Sequence, residues 1–230
     1  MEFCASPSEG GTTQSHGAIR SARENLHIQL YPIIRPRGGD FLFSALEFEI
    51  MMRDVTLCKQ IGCDGVVIGM LHGDGTIDKK RSTRLIELAY PMGVTFHRAF
   101  DWSKDPHQAL EDIIEIGCER ILSSGQKQSA LEGAGLLGEL VQQAADRIII
   151  MPGSGIRAKN ILEIKEKTGA VEFHSSARIR VQSSMHFTNP DISDEDSFVC
   201  ADENEIGQMN GLLLMTEEVK DSKSNNPENA

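Results

Sequence analysis

The chain has 230 residues, 40% of them hydrophobic, and a formal net charge of −11. That length allows one α/β domain or two small ones, and no apolar run approaches the ~18 residues of a membrane-spanning helix. Eleven acidic and two basic residues lie from Thr188 onward, leaving −2 on residues 1–187; the net charge argues against a nucleic-acid partner, since a phosphate backbone selects for clustered Lys and Arg.

In chain order, Met1 to Cys4 reads as a strand stump, followed by the polar loop Ser6 to Thr13 and a short helix over His16 to Asn25. Ile28 to Arg35 reads as a strand ending in Arg35-Pro36-Arg37-Gly38-Gly39-Asp40, a rigid cationic loop suited to closing on an anion. Apolar residues at Leu46, Ile50, Met51 and Val55 have helical spacing over Ser44 to Gly62, with Gly62 as a C-cap. Gly65 to Leu71 is the next strand, His72 to Gly75 a turn, and Asp78 to Tyr90 a helix. Gly93 to Phe100 follows, then a helix begun by Asp105 and Pro106. Arg120 to Gly125 leads into a helix over Ser129 to Ala145. Arg147 to Gly153 and Ala170 to Ser176 are the last strands. The six strands after the stump begin 37, 28, 27, 27 and 23 residues apart, which is the signature of βαβ units on a parallel sheet. The expected fold is a TIM-type barrel with about seven strands.

Residues 1–187 are read as the barrel, 188–219 as an acidic loop and closing helix of the same domain, and 220–230 as a tail too polar to order. Val181 to Ala201 reads as one long loop. The five cysteines, 4, 58, 63, 118 and 200, are odd in number and scattered, which suits a reducing compartment. Cys58 and Cys63 read as small buried thiols. The start has no basic or strongly apolar segment, so the expected setting is cytoplasmic, with the nucleus also open.

Barrel sites form where strands end, so Cys4, Arg35, Arg37, His97, Asp101, Ser124, Gly153, Gly155, His174 and Ser176 are expected around one mouth. Alternation puts Thr95, His97 and Ala99 on one face, expected inward, and Glu172, His174 and Ser176 together on one face of the last strand. His97, Asp101, Glu172 and His174 are the acid–base candidates, paired as His97 with Asp101 and His174 with Glu172; each could equally be a satisfied polar core residue. Arg35, Arg37, Gly153, Gly155 and Ser176 are anion-binding candidates, although those glycines could serve only strand-to-helix turns. Cys4, His97 and His174 are the soft-metal candidates.

Several strings are specific beyond their chemistry: Glu2-Phe3-Cys4, Ser8-Glu9-Gly10-Gly11-Thr12, Ile34-Arg35-Pro36-Arg37-Gly38-Gly39-Asp40-Phe41, Thr95-Phe96-His97-Arg98-Ala99-Phe100-Asp101, Leu122-Ser123-Ser124-Gly125 and Glu172-Phe173-His174-Ser175-Ser176-Ala177. Together they closely resemble the CutC family of copper homeostasis proteins over nearly the whole chain. The resemblance implies a TIM barrel, cytoplasmic residence, copper binding as Cu(I), a homo-oligomer, no organic cofactor and no membrane partner. It brings no established reaction, and it puts Cys4 at a copper-associated cysteine. Family members begin with a further strand and helix carrying another cysteine, so the resemblance implies a barrel one strand short with two unpaired edges. Two other functions stay open: an enzyme acting on a small phosphorylated or carboxylated substrate, and a shortened isoform without activity of its own.

Overall fold

The computed structural model describes residues 1–187, 189, 191 and 197–224. Its centre is a run of parallel strands in chain order: β1 (Glu2–Phe3), β2 (Tyr31–Pro32), β3 (Gly65–Ile68), β4 (Gly93–Phe96), β5 (Arg120–Ser123) and β6 (Ile149–Pro152). β3 to β6 form one sheet and β1 pairs with β2. A parallel bridge from Ile33 to Val67 joins the two groups. The seventh expected strand is not regular: Glu172 to Ala177 runs beside β6, where the His174 N–H donates to the Pro152 carbonyl at 2.9 Å. No ladder joins this segment to β1, so the arc does not close into a barrel among the described residues.

The helices return each strand to the next along the outside: α1 (His16–Asn25), α2 (Ala45–Ile61), α3 (Lys79–Ala89), α4 (Pro106–Ile116), α5 (Ala134–Ala144) and α6 (Ile161–Thr168). Their starts lie where side chains satisfy the free N–H groups of a first turn. Ser15, Asp78 and Asp105 accept from N–H groups of the first turns of α1, α3 and α4, and Ser44 with Glu47 makes a reciprocal box on α2. Strand side chains alternate. Val66, Ile68, Phe96, Ile121 and Ile150 face the helices in the main core, together with Leu85, Leu110, Ile113, Leu137 and Ile164. Tyr31, Ile33 and Val67 form a separate inner cluster against which Cys4 packs.

Two expectations change. Val181 to Ala201 is not one loop, because β7 (Arg178–Gln182) and β8 (Ser197–Ala201) form an antiparallel pair. The alternation of Arg178-Ile179-Arg180-Val181 was present in the sequence, but its partner strand lies beyond a polar stretch of fourteen residues. The final helix, α7 (Glu203–Ser224), extends past the expected bound at 219. Of the tail expected to lack order, 225–230 lie outside the described residues. Among those described, no helix is long and apolar enough to cross a membrane.

Candidate functional site at the strand ends

Arg35 follows β2 and is almost fully buried. Its Nη1 donates to the carbonyls of Glu9 (2.8 Å) and Gly11 (3.0 Å), and Nη2 donates to that of Gly39 (2.7 Å). The guanidinium lies 4.8 Å over the Phe41 ring. Rather than standing free for a ligand, Arg35 ties the loop after β1 to the loop after β2. Burial, and then the charge of Arg37, lower its pKa. Among the described residues it has no carboxylate partner, and its Nε–H is buried without an acceptor. Arg37, the other expected anion contact, turns aside to Glu47 (2.6 Å) and Asp40 (2.9 Å). The fork geometry of guanidinium explains both outcomes, since it satisfies several fixed acceptors at once.

The strand read from Gly93 to Phe100 stops at Phe96, because His97 caps a tight helical turn over Arg98–Trp102. The inward placement of His97 holds. Its Nδ1 accepts from the Ala99 N–H at 3.1 Å, which leaves the proton on Nε2. That Nε2 is buried and unpartnered. The ring sits against Phe41, centroids 5.1 Å apart, and over Gly69, where any Cβ would lie 2.4 Å from the imidazole. Burial and the nearby Arg35 cation push the His97 pKa down to about 3. The imidazole is therefore neutral near pH 7, an acceptor at Nδ1 with an unused N–H at Nε2. It is not paired with Asp101.

Asp101 instead organises the loop after β5. It accepts from Ser123 Oγ (2.7 Å), the N–H groups of Ser124 (3.0 Å) and Gln126 (3.2 Å), and Arg98 Nε (2.8 Å). A carboxylate committed to this many donors is a structural hub rather than a free base. Glu172 is likewise committed, to Arg120 at 2.7 Å, and that ion pair raises the pKa of Arg120. So neither expected acid–base pair forms.

His174 faces Glu2 of β1, with Nε2 3.1 Å from Oε2. The pair is within ionic reach but out of hydrogen-bond alignment, and both Glu2 oxygens are buried without a hydrogen-bond donor. Cys4 shares the inner face with Glu2. It is partly buried, and burial followed by the Glu2 charge raises its thiol pKa. Gly153 uses its N–H in the sheet, donating to Ser123 at 2.8 Å, and a Cβ there would meet Leu122 at 2.3 Å, so it is a packing glycine. Gly155 takes a left-handed turn, with Asn160 Nδ2 donating to its carbonyl. Ser176 Oγ accepts from Arg178 Nε at 3.0 Å. No group of three or more His, Cys, Asp or Glu side chains arranged to hold a metal occurs among the described residues. The donors here fit a soft ion content with few ligands, not a closed three- or four-ligand cage.

The sequence reading did not single out Glu2 or Arg98, and it missed the network of Tyr31, Glu119, Arg120 and Glu172. Period-two alternation starting from Cys4 places Glu2 on the same face, a signal that could have found it.

Parallel strands in chain order, external return helices and polar strand ends define a TIM-type α/β scaffold. Solved structures agree. A CutC structure from Streptococcus agalactiae aligns with TM-score 0.73 and 33% identity, covering 75% of this chain and 86% of that one. A deoxyribose phosphate aldolase from Aeropyrum pernix aligns at 0.53 with 14% identity over 70% and 69%, a likeness of fold alone. The CutC family model matches residues 1–179. A CutC family protein of Chromobacterium violaceum is 54% identical over 187 residues, 81% of this chain and 76% of the relative. The human copper homeostasis protein cutC homolog is 46% identical over 202 residues, 88% and 74%. The chain belongs to the CutC family.

Proposed function

We propose that this chain serves copper homeostasis by binding Cu(I) as cargo through the Cys4 thiolate, with His174 as second ligand. The observation that carries the reading is the placement of Cys4: it is partly open, lies at the end of β1, and shares an inner face with the Glu2 that meets His174. A thiolate is the preferred partner of a soft monovalent ion, and imidazole is an acceptable second. His97 is left out of this ligand set, since Ala99 occupies its one lone pair. Because the Cys4 pKa is raised, binding has to displace a proton, and affinity rises with pH. The proposal includes a cytoplasmic or nuclear setting and assembly with copies of the same chain, to be read by cell fractionation and light scattering. The test of the ligand is anaerobic Cu(I) titration against a chromophoric chelator, with Cys4→Ser alongside. Undiminished competition by the variant removes Cys4 from the site.

One observation favours a second reading, a small anion in the mouth. Arg35 Nε and His97 Nε2 are two buried N–H donors without acceptors, and the Arg35 cation acts on the His97 ring. Buried donors without acceptors are costly, and an anionic oxygen would satisfy them. A thermal-shift screen of phosphorylated and carboxylated metabolites tests it. If no compound raises the melting temperature, the reading is lost.

A further inference from the structure

The second thiol-bearing feature of the fold lies on the outer layer, at the end of α2, away from the mouth. Gly62 follows the helix with φ +85°, a left-handed turn that costs glycine little. Its N–H returns to the Lys59 carbonyl at 3.1 Å, and the Cys63 N–H to the Cys58 carbonyl at 3.0 Å. These two bonds are the Schellman closure of a helix, and that closure brings the side chain just past the turn against the one five residues earlier. Usually this contact is hydrocarbon on hydrocarbon. Here both members are cysteines.

Both side chains belong to the same buried cluster. Hydrogen bonding between the neighbouring thiols raises the pKa of Cys58 and lowers that of Cys63, the latter opposed by burial and Asp64 and aided by Arg23. Both are free, Cys58 is fully buried, and Cys63 keeps 6% of its surface open. A groove of about 330 Å³ between α1 and this helix end is lined by His16, Arg23, Leu57, Gln60 and Ile61. Arg23, on the wall of that groove, is ion-paired with Asp64 at 2.6 Å, and its charge also acts on Cys63.

We propose that Cys58 and Cys63 form a two-thiolate site for Cu(I), separate from the mouth. The chemistry balances without electron transfer. Two S–H protons leave, two S–Cu bonds form, and the resulting single negative charge lies near the Arg23–Asp64 ion pair. A soft monovalent ion prefers such a pair to any oxygen donor, and the apolar surroundings disfavour hard, hydrated divalent ions. The Schellman turn fixes the spacing of the two thiols before the metal arrives, so little ordering is left for binding to impose.

The experiment uses the full chain, reduced with a phosphine under argon and titrated with Cu(I) against a chromophoric chelator. The proteins are wild type, Cys4→Ser, Cys4→Ser with Cys63→Ala, and Cys4→Ser with Cys118→Ala. Cys4→Ser is expected to retain one Cu(I) equivalent, and adding Cys118→Ala to leave it unchanged. Adding Cys63→Ala is expected to weaken it by at least about 100-fold, beyond the ~10–100-fold cost of removing a group behind a ligand. Melting curves establish that each variant is folded. Copper-edge X-ray absorption on Cys4→Ser, which leaves the helix end intact, is expected to show two sulfur neighbours and no nitrogen. Loss of all Cu(I) binding in Cys4→Ser, full retention with Cys63→Ala, or a nitrogen-dominated spectrum each overturns the proposal. Failure of the mouth reading looks different, because wild type and Cys4→Ser then bind alike.

Discussion

Replacing Arg35 by Leu is the most direct test of how the mouth is held together. The substitution keeps apolar volume against Phe41 and deletes the three hydrogen bonds to the carbonyls of Glu9, Gly11 and Gly39. Bonds from a charged donor are worth ~1.5–3 kcal/mol each, so the gross loss is roughly 4.5–9 kcal/mol. Against this stands relief of a buried guanidinium that has no carboxylate partner, a penalty of several kcal/mol. The expected net destabilisation is therefore about 3 kcal/mol, or a melting temperature lower by ~6–12 °C for a chain of this size. Arg35→Lys is expected to recover less than half, because one ammonium cannot span three carbonyls that a planar fork reaches together. Thermal and urea melts of both variants give the answer. A Leu variant within ~1 kcal/mol of wild type would refute the clasp and return Arg35 to the role of a free anion contact.

Two further predictions concern the same end of the fold. The folded-state pKa of His97, near 3, lies below its ordinary value of 6.5. Protonation thus favours the unfolded chain; the stabilisation is complete above pH 6.5 and is lost as pH falls toward 3, by up to ~1.4 kcal/mol per pH unit. His97→Gln is expected to flatten that part of the curve, and an unchanged acid limb in urea melts between pH 4 and 7 would exclude His97 as its source. Asp101→Ala deprives Ser123, Ser124, Gln126 and Arg98 of one shared acceptor and is expected to cost ~3–5 kcal/mol in equilibrium unfolding. Near-native stability in that variant would mean the loop after β5 holds itself.

The helices were legible in the sequence, down to Ser44 and Gly62 at the two ends of α2, because caps and apolar spacing are local signals. The parallel order was legible as well, from strands spaced for crossover helices. The pairing of polar residues was not. His97 and Asp101 are four residues apart and could have met, but the turn at Arg98–Trp102 sends one inward and the other to β5. Glu172 was read with His174 because they share a face; the structure gives Glu172 to Arg120 and sets His174 beside Glu2, 172 positions away.

Local chemistry by itself determined where chain segments bend, which faces are apolar, and that Cys63 follows a glycine closing a helix that contains Cys58. Those features act within a few residues and need no partner. Only the folded arrangement decided which charges meet, that Arg35 is consumed by backbone carbonyls, and that His97 is neutral. Electrostatic partnership and desolvation depend on groups distant in sequence but adjacent in space, and no window along the chain contains them.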